Sequence, residues 1–513
     1  MLNLAHILEF NLGRNPDNLA IIFNDRKMTY RELNGAATKF ADGLRQLGVN
    51  PGDKVALMMP NIPYFPIAYF GILKAGAAVV PFNVLFKGRE VAYHLKDSDA
   101  VALIGFEMFA QPAVEGFQAV ETCKNLIMAT ADPMAALPVS GEGIRHFSHV
   151  LAGGSPLFDT VQTMPDDTAV ILYTSGTTGQ PKGAELTHAN LFLNAWISQQ
   201  LLGWQPNDVF LATLPLFHSF GQTVIMNNAI MGGAAVTLLP RFDPAAALGI
   251  MQRDNVTVFA GVPTMYWALL AYPKASDFDL EKIKSNLRIA VSGGAALPVE
   301  VLRGFEEKYQ VPILEGYGLS ETSPVACFNH ADRPRKVGSI GNPVWGTGMR
   351  IVDTDGKTVA TDAVGEVVIR GHNVMKGYYK RPEATAQSIR NGWFYTGDLA
   401  RMDSEGYFFI VDRLKEMIIR GGFNVYPREI EEYLLTNPKV SLAAVMGVPD
   451  ERLGEEVKAY IVLKEGQSAT VEEIIEFAKI GLADYKYPRQ IEFRTAFPMT
   501  ATGKILKRER AAS

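Results

Sequence analysis

The stretch Tyr173–Gly183, Y-T-S-G-T-T-G-Q-P-K-G, gathers four hydroxyls, four glycine or proline positions and a lysine in one short run. Glycines let the backbone approach a ligand. Amide N–H groups and hydroxyls donate to oxyanions, and a lysine neutralises charge, so the chemistry on offer is phosphate binding. The candidates are Thr174, Ser175, Gly176, Thr177, Thr178, Gly179 and Lys182. A Walker A loop counted from Gly176 would need glycine at 181, where this chain has Pro181. The bland alternative is a glycine-rich surface turn. The density of hydroxyls together with a lysine favours phosphate.

Four more stretches supply the rest of a nucleotide site. Ser292–Ala295 reads S-G-G-A, Glu315–Pro324 reads E-G-Y-G-L-S-E-T-S-P, Trp393–Leu399 reads W-F-Y-T-G-D-L, and Arg413 stands near Lys415. Each alone is more simply a turn, a packed ring or a surface charge. Together, Gly293, Gly294 and Tyr317 could make a flat slot for adenine, with Glu315, Gly316 and Gly318 beside it. Asp398 offers two oxygens to two ribose hydroxyls. Glu321 is a hard oxygen ligand suited to Mg²⁺ on phosphate, and Ser320 adds a donor to phosphate oxygens. Lys504, after Gly503, is a cation on a separate, movable loop.

The elements that must hold these residues read as an α/β protein. The apolar run Ala169–Leu172 predicts a buried strand before the phosphate loop, and Thr187 predicts an N-cap for a helix from about His188. Strand, glycine-rich loop and helix is therefore the expected local arrangement. Ala20–Phe23 and Lys27–Tyr30 predict a hairpin, and Thr29 with Glu32 a capping box. Short apolar runs at Val55–Met59, Ala77–Pro81, Val101–Ile104, Val209–Leu214, Ala234–Leu238, Val256–Phe259 and Arg288–Val291 alternate with helical segments. That rhythm predicts mainly parallel sheets covered on both faces, in a large domain of two α/β layered subdomains. From about Lys336, short runs among many glycines predict a small β-barrel-like subdomain. The change of texture around Asp412–Asn424 divides an N-terminal domain, 1–412, from a small mobile α+β domain, 413–513.

A chain of 513 residues exceeds one core. Net charge is −5 (49 basic minus 54 acidic) with no basic block, which gives no support for a nucleic-acid partner. The two cysteines, Cys123 and Cys327, form no C-x-x-C pair, so a reducing, cytoplasmic setting fits. No signal peptide is evident, and no apolar run approaches the roughly 20 residues of a membrane span. Peripheral membrane contact and a homodimer both stay open.

The combination Y-T-S-G-T-T-G-Q-P-K-G, G-Y-G-L-S-E-T, Y-T-G-D, V-D-R-L-K-E and T-G-K resembles the adenylate-forming superfamily from end to end, with bacterial long-chain fatty-acid–CoA ligases the nearest in pattern. The resemblance implies ATP, Mg²⁺ and CoA, and a reaction in two halves. A carboxylate attacks the α-phosphate to give acyl-adenylate and pyrophosphate; the CoA thiol then attacks the acyl carbon and releases AMP. It implies that Lys504, Glu321, Thr177 and Lys182 serve the first half, that Lys415 is the hinge, and that Gly421 and Gly422 line the CoA tunnel. By the same resemblance Leu214–Gly221 walls the acyl group, with Phe217 in it and His218 as a gate, and Val262, Met265 and Leu319 add apolar wall. No aspartate lies between Leu214 and Val224, which argues against an amino acid and for an uncharged acyl tail. Many family members have Gly-Arg where this chain has Asp412-Arg413, a variant familiar among fatty-acid and coumarate ligases. An aryl- or short/medium-chain acid–CoA ligase of the same mechanism is the alternative. A regulatory nucleotide-binding protein with a degenerate site is disfavoured by the intact set Lys182, Glu321, Asp398, Arg413 and Lys504.

Overall fold

The computed structural model describes residues 1–174, 180–203, 205, 207–501 and 505. Two large sheets dominate. In the first, nine strands run in the order Asn342–Pro343, Val325–Phe328, Ile313–Gly318, Ile289–Ser292, Val258–Gly261, Val209–Ala212, Ala235–Leu238, Leu19–Phe23, Arg26–Thr29. Pairing is parallel from Ile313–Gly318 to Leu19–Phe23 and antiparallel at both ends. The central strands are buried along almost their whole length, Val209 alone being half-buried, as expected where helices cover both faces. The second sheet has eight strands, with Thr168–Thr174 and Lys182–Thr187 next to its edge pair Gly377–Tyr378.

Two five-stranded sheets follow. One joins Thr347–Val352, Gly365–Gly371, Trp393–Met402, Ile389–Arg390 and Phe408–Arg413. The other, built from Ile418 onward, carries the helices Pro427–Leu435 and Val471–Gly481 and has its own core around Ile418, Ile430, Leu434, Val445, Val457 and Ile474. Local chemistry explains many of the helix starts. Thr29/Glu32 and Thr470/Glu473 both close reciprocal capping boxes, and Thr187 caps His188–Leu201 with Asn190 as the reciprocating residue.

The phosphate-loop neighbourhood departs from the strand–loop–helix expectation. Lys182–Thr187 is a strand, not a lead into the helix. It pairs antiparallel with Thr168–Thr174, so that Thr174 faces Lys182 and Tyr173 faces Gly183. Thr168–Thr174 and Lys182–Thr187 are therefore antiparallel partners, and the helix begins only after the second of these strands. The hairpin wins because Ala184 and Leu186 bury themselves in the sheet opposite Leu172 and Val170.

Asp412 ties the last strand of the third sheet to the first helix of the fourth. Its Oδ1 accepts the Arg413 N–H at 2.7 Å, and its Oδ2 accepts the Arg428 N–H at 3.1 Å. Arg428 is the second residue of Pro427–Leu435, whose own N-cap, Tyr426, supplies no side-chain bond. Asp412 thus caps that helix from outside it, a task that glycine at this position could not perform. Asp412→Ala is expected to lower hydrogen-exchange protection of the first-turn amides of 427–435 by about five- to tenfold. Exchange mass spectrometry on that segment, with 471–481 as internal reference, measures it.

Candidate functional site

A cavity of about 890 Å³ opens where the parallel strands end. Leu214 follows Val209–Ala212, Val262 follows Val258–Gly261, Ser292, Gly293 and Gly294 follow Ile289–Ser292, and Gly316–Gly318 close Ile313–Gly318. Tyr173 and Thr174 arrive from the end of the second sheet's strand. Carboxyl ends of parallel strands are where open α/β sheets bind ligands, because chains diverge there and leave a crevice.

Of the residues singled out in the sequence, the cavity brings together Thr174, Lys182, His218, Val262, Gly293, Gly294, Gly316, Tyr317, Gly318, Leu319, Ser320, Glu321, Asp398, Arg413 and Lys415. A second cavity of about 610 Å³ shares Tyr173, Thr174, His218, Ser219 and Ser320 with it. This one is also lined by Phe217, and by Thr500 and Ala501 of the C-terminal segment. Ser175, Gly176, Thr177, Thr178, Gly179 and Lys504 lie outside the described residues. Met265 is buried in the helix Pro263–Ala271 and lines neither cavity. Gly421 and Gly422, at φ 56° and 86°, form a hairpin tip and line neither.

Glu315 also lines neither cavity. It is buried, and its carboxylate takes the Gly338 and Leu297 amides. Burial pushes its carboxyl up to about 7, against a pull downward from Arg428 of the C-terminal helix.

The polar geometry is specific. Tyr317 OH donates to Asp398 Oδ2 at 2.6 Å, and Arg413 Nε reaches Asp398 Oδ1 at 3.0 Å. Asp398 and Arg413 sit directly opposite each other on adjacent antiparallel strands. Burial first, and then the Asp398 charge, hold the Tyr317 phenol protonated, which keeps it a donor. A carboxylate has about four lone-pair sites, so Asp398 so held can still accept hydroxyls. Glu321, on the turn Ser320–Thr322, accepts from Thr174 Oγ1 at 3.1 Å and from Tyr378 OH at 3.0 Å, both at Oε1. Among the described residues nothing donates to its Oε2. No cluster of three metal-ligating side chains occurs among the described residues. A lone carboxylate suits Mg²⁺, which keeps waters and leans on a ligand's phosphates. Among the described residues Ser292 Oγ, buried in the cavity wall, has no partner, as expected of a group that meets a ligand or water.

Two of the glycines are crowded by protein rather than left open for ligand. A Cβ on Gly318 would lie 1.8 Å from the Pro324 carbonyl oxygen, and one on Gly316 would lie 2.1 Å from the Phe328 ring. The side facing the acyl candidates is mostly apolar, with His218 and Ser219 its polar members: Leu214, Phe220 and Val224, joined by Val262, carry no carboxylate or ammonium. Phe220 and Val224 belong to a buried π-helix, Phe220–Asn227, a rare geometry often found at functional sites. Sequence reading missed Val224 and Tyr378, and it placed Phe220 and Ser292 within singled-out stretches without a role of their own. The signal for Phe220 and Val224 was their place just beyond His218, four residues apart.

The chain matches the family described as AMP-binding enzyme over residues 8–379, and the AMP-binding enzyme C-terminal domain over residues 429–504. It is 40% identical to a long-chain-fatty-acid–CoA ligase of Bacillus subtilis (strain 168), covering 98% of this chain and 93% of that protein. It is 37% identical to a feruloyl-CoA synthase of Amycolatopsis sp, covering 96% and 95%. Among solved structures it is similar to the anthranilate CoA ligase AuaEII in complex with anthranoyl-AMP. There the TM-score is 0.91 and identity 31%, covering 98% of this chain and 95% of that one.

A carboxyl that holds its proton more tightly folded than unfolded favours the folded state at low pH. The Glu315 contribution is therefore present below its ordinary value of 4.5 and lost as pH rises to about 7. Glu315→Gln is expected to abolish this part of the pH dependence of Tm between pH 5 and 7. Scanning calorimetry of both proteins across that range, compared by slope, checks it.

Proposed function

Because the chain belongs to the AMP-binding enzyme family and is an acid–CoA ligase that works through an acyl-adenylate, we propose that its acid is a long- or medium-chain fatty acid. The observation that carries this reading is the uncharged wall of Leu214, Phe220, Val224 and Val262 in the same cavity as Lys182, Glu321, Asp398 and Arg413. Burying a charged tail there would leave it unpaired, at a cost of several kcal/mol, on the order of the penalty for an uncompensated ion. The similarity to the Bacillus ligase supports the same acid. An aryl acid is the second reading, favoured by the feruloyl and anthranilate relatives.

Enzymes of this kind use ATP, Mg²⁺ and CoA. Asp398, held by Tyr317 and Arg413, accepts the ribose hydroxyls, and Gly293, Gly294 and Tyr317 flank the adenine. Lys182 and the hydroxyls of Thr174 and Ser320 bind phosphate oxygens, together with the 175–179 loop. Glu321 would hold Mg²⁺, which when bound offsets charge on the phosphates and orients them. In the first half the acid's carboxylate oxygen attacks the α-phosphorus, and the bond to pyrophosphate breaks. The protein's part is positioning and charge compensation. Lys504 supplies a further cation from the C-terminal domain, 413–513, three residues beyond Ala501, which lines the adjoining cavity. In the second half that domain turns about Lys415, and the thiol of CoA enters past His218, where the two cavities meet. Sulfur bonds to the acyl carbon and AMP leaves.

A pyrophosphate-release screen over straight-chain, branched and aromatic acids tests the acid. Medium- to long-chain acids should exceed aromatic acids in kcat/KM by at least about tenfold, the discrimination that a few methylenes provide. An aromatic optimum transfers the assignment to the second reading. Lys504→Ala is expected to slow adenylate formation by at least about 10²-fold while sparing thioester formation from supplied acyl-adenylate. Equal loss in both halves would remove the moving-cation account. Lys415→Pro should do the reverse, impairing the CoA half alone; single-turnover assays of each half resolve the two variants.

A further inference from the structure

We propose that Tyr378 is a positioning residue of the first half-reaction: it holds Glu321 for the metal and keeps Lys182 apart from Glu321, so that both charges remain available to the triphosphate. The inference rests on the reading above, in which Glu321 bears Mg²⁺ and Lys182 binds phosphate.

Tyr378 touches both groups with different parts of one side chain. Its OH donates to Glu321 Oε1 at 3.0 Å. Its ring lies under Lys182, with Nζ 5.3 Å from the centroid, within cation–π range. Among the described residues no ion pair joins Lys182 to Glu321, although both line the same cavity. Opposite charges within about 4 Å attract by several kcal/mol in a partly desolvated cleft. A lysine on a flexible stem would otherwise collapse onto the carboxylate and occupy the oxygens a metal needs. A phenol avoids this without adding charge. It is a neutral donor toward the carboxylate and an electron-rich face toward the ammonium.

The backbone around Tyr378 is built to fix it. Gly377 and Tyr378 pair with Glu185 and Ala184 on the Lys182 strand. Lys376 N–H donates to Glu185 O, Tyr379 N–H to Gly183 O, and Tyr378 N–H to Thr385 Oγ1. Met375 N–H donates to the Glu321 carbonyl at 2.8 Å, so the same segment also fixes the glutamate's backbone. Just beyond, Tyr379 OH donates to Asp99 at 2.7 Å and Arg381 pairs with Asp97. Asp97 also accepts the Tyr173 OH at 2.8 Å. Segment 375–381 is thereby pinned to the Lys182 strand, the Glu321 turn and the end of the Thr174 strand. Tyr378 is its one side chain that contacts both Lys182 and Glu321 among the described residues.

Two variants of the full-length protein separate the roles. Tyr378→Phe removes the OH and keeps the ring; Tyr378→Leu removes both. The readout is binding of α,β-methylene-ATP by calorimetry in EDTA and in Mg²⁺, together with Mn²⁺ affinity of the analogue complex by electron paramagnetic resonance. AMP binding serves as the control for folding. Tyr378→Phe is expected to weaken Mn²⁺ about tenfold, as for loss of a hydrogen bond to a charged group, and to leave AMP and metal-free analogue affinity within about twofold. It should raise the Mg²⁺ needed for half-maximal pyrophosphate release to a similar degree. Tyr378→Leu should also weaken the analogue in EDTA, because Lys182 turns to Glu321. Wild-type Mn²⁺ affinity in Tyr378→Phe, with Glu321→Gln defective, overturns the role of Tyr378 alone. An equal loss of AMP binding in Tyr378→Phe shows a merely structural role and overturns it too. Absence of Mn²⁺ binding to the wild-type analogue complex overturns the assignment of Glu321, and this inference with it.

Discussion

Opposite charges have to stand within a few ångströms of one another in this cleft without cancelling. A nucleotide triphosphate presents anionic oxygens, neutral hydroxyls and, with its metal, a cation. Its cleft therefore needs both signs, and it needs them unspent. The structure meets the demand in two ways. Where neutral hydroxyls are to be bound, pairing is allowed: Asp398 is fixed by Arg413 and Tyr317, and its remaining lone pairs are aimed by those partners. Where the proposed reading places full charges, no direct pair forms among the described residues: Lys182 and Glu321 each contact uncharged groups, Tyr378 for both and Thr174 for the glutamate. An ammonium and a carboxylate left to meet in a desolvated cleft would make a stable pair and a poor site.

Holding groups this closely requires strands that approach closely. Gly316 and Gly318 are where they do. Phe328 and the Pro324 carbonyl occupy the space their side chains would take, so the strand Ile313–Gly318 lies against the segment that follows Ser320. That contact brings Tyr317 and Glu321, four residues apart, to different parts of one cavity. The glycine requirement here is steric, and the ligand benefits from it indirectly.

Much of this frame was legible in the sequence, because its signals are local. The apolar runs of the parallel strands are bounded by turns, and the capping boxes at Thr29 and Thr470 are set by residues three apart. The phosphate loop was legible in composition but not in arrangement. Lys182–Thr187 carries only Ala184 and Leu186 as apolar residues, too few to signal a strand before the hairpin partner is known. Tyr378 lay beyond reach for a similar reason. Its strand is two residues long, and its importance comes from Glu321, 57 positions away. Glu315 stands in a motif with Tyr317, and nothing in the sequence says which of the two turns toward the amides of Leu297 and Gly338. The charge-bearing members of the site could be read as types, while the neutral residues that hold them apart could be identified only from their contacts.

The same logic bears on where a moving domain can pivot. In the proposed reaction Arg413 stays with Asp398 in both halves, since the ribose does not leave between them. Its strand pairing extends one residue further, through Leu414 N–H on the Gly397 carbonyl at 2.9 Å. Lys415 is therefore the first position past the last strand-like bond to the five-stranded sheet that carries Asp398, and the proposed rotation there leaves the proposed ribose contact untouched. With the proposed pivot at Lys415, Asp412 lies on the fixed side and Arg428 on the moving side, and the bond that caps the helix Pro427–Leu435 opens when the domain turns. Arg428 also eases the charge on buried Glu315 in the arrangement seen here. Turning away would remove that pull and favour the protonated form of the carboxyl. The domain arrangement seen here thus gains from two carboxylates of the large domain, neither of which touches a substrate. Both gains are small enough to be outweighed when CoA binds the other arrangement.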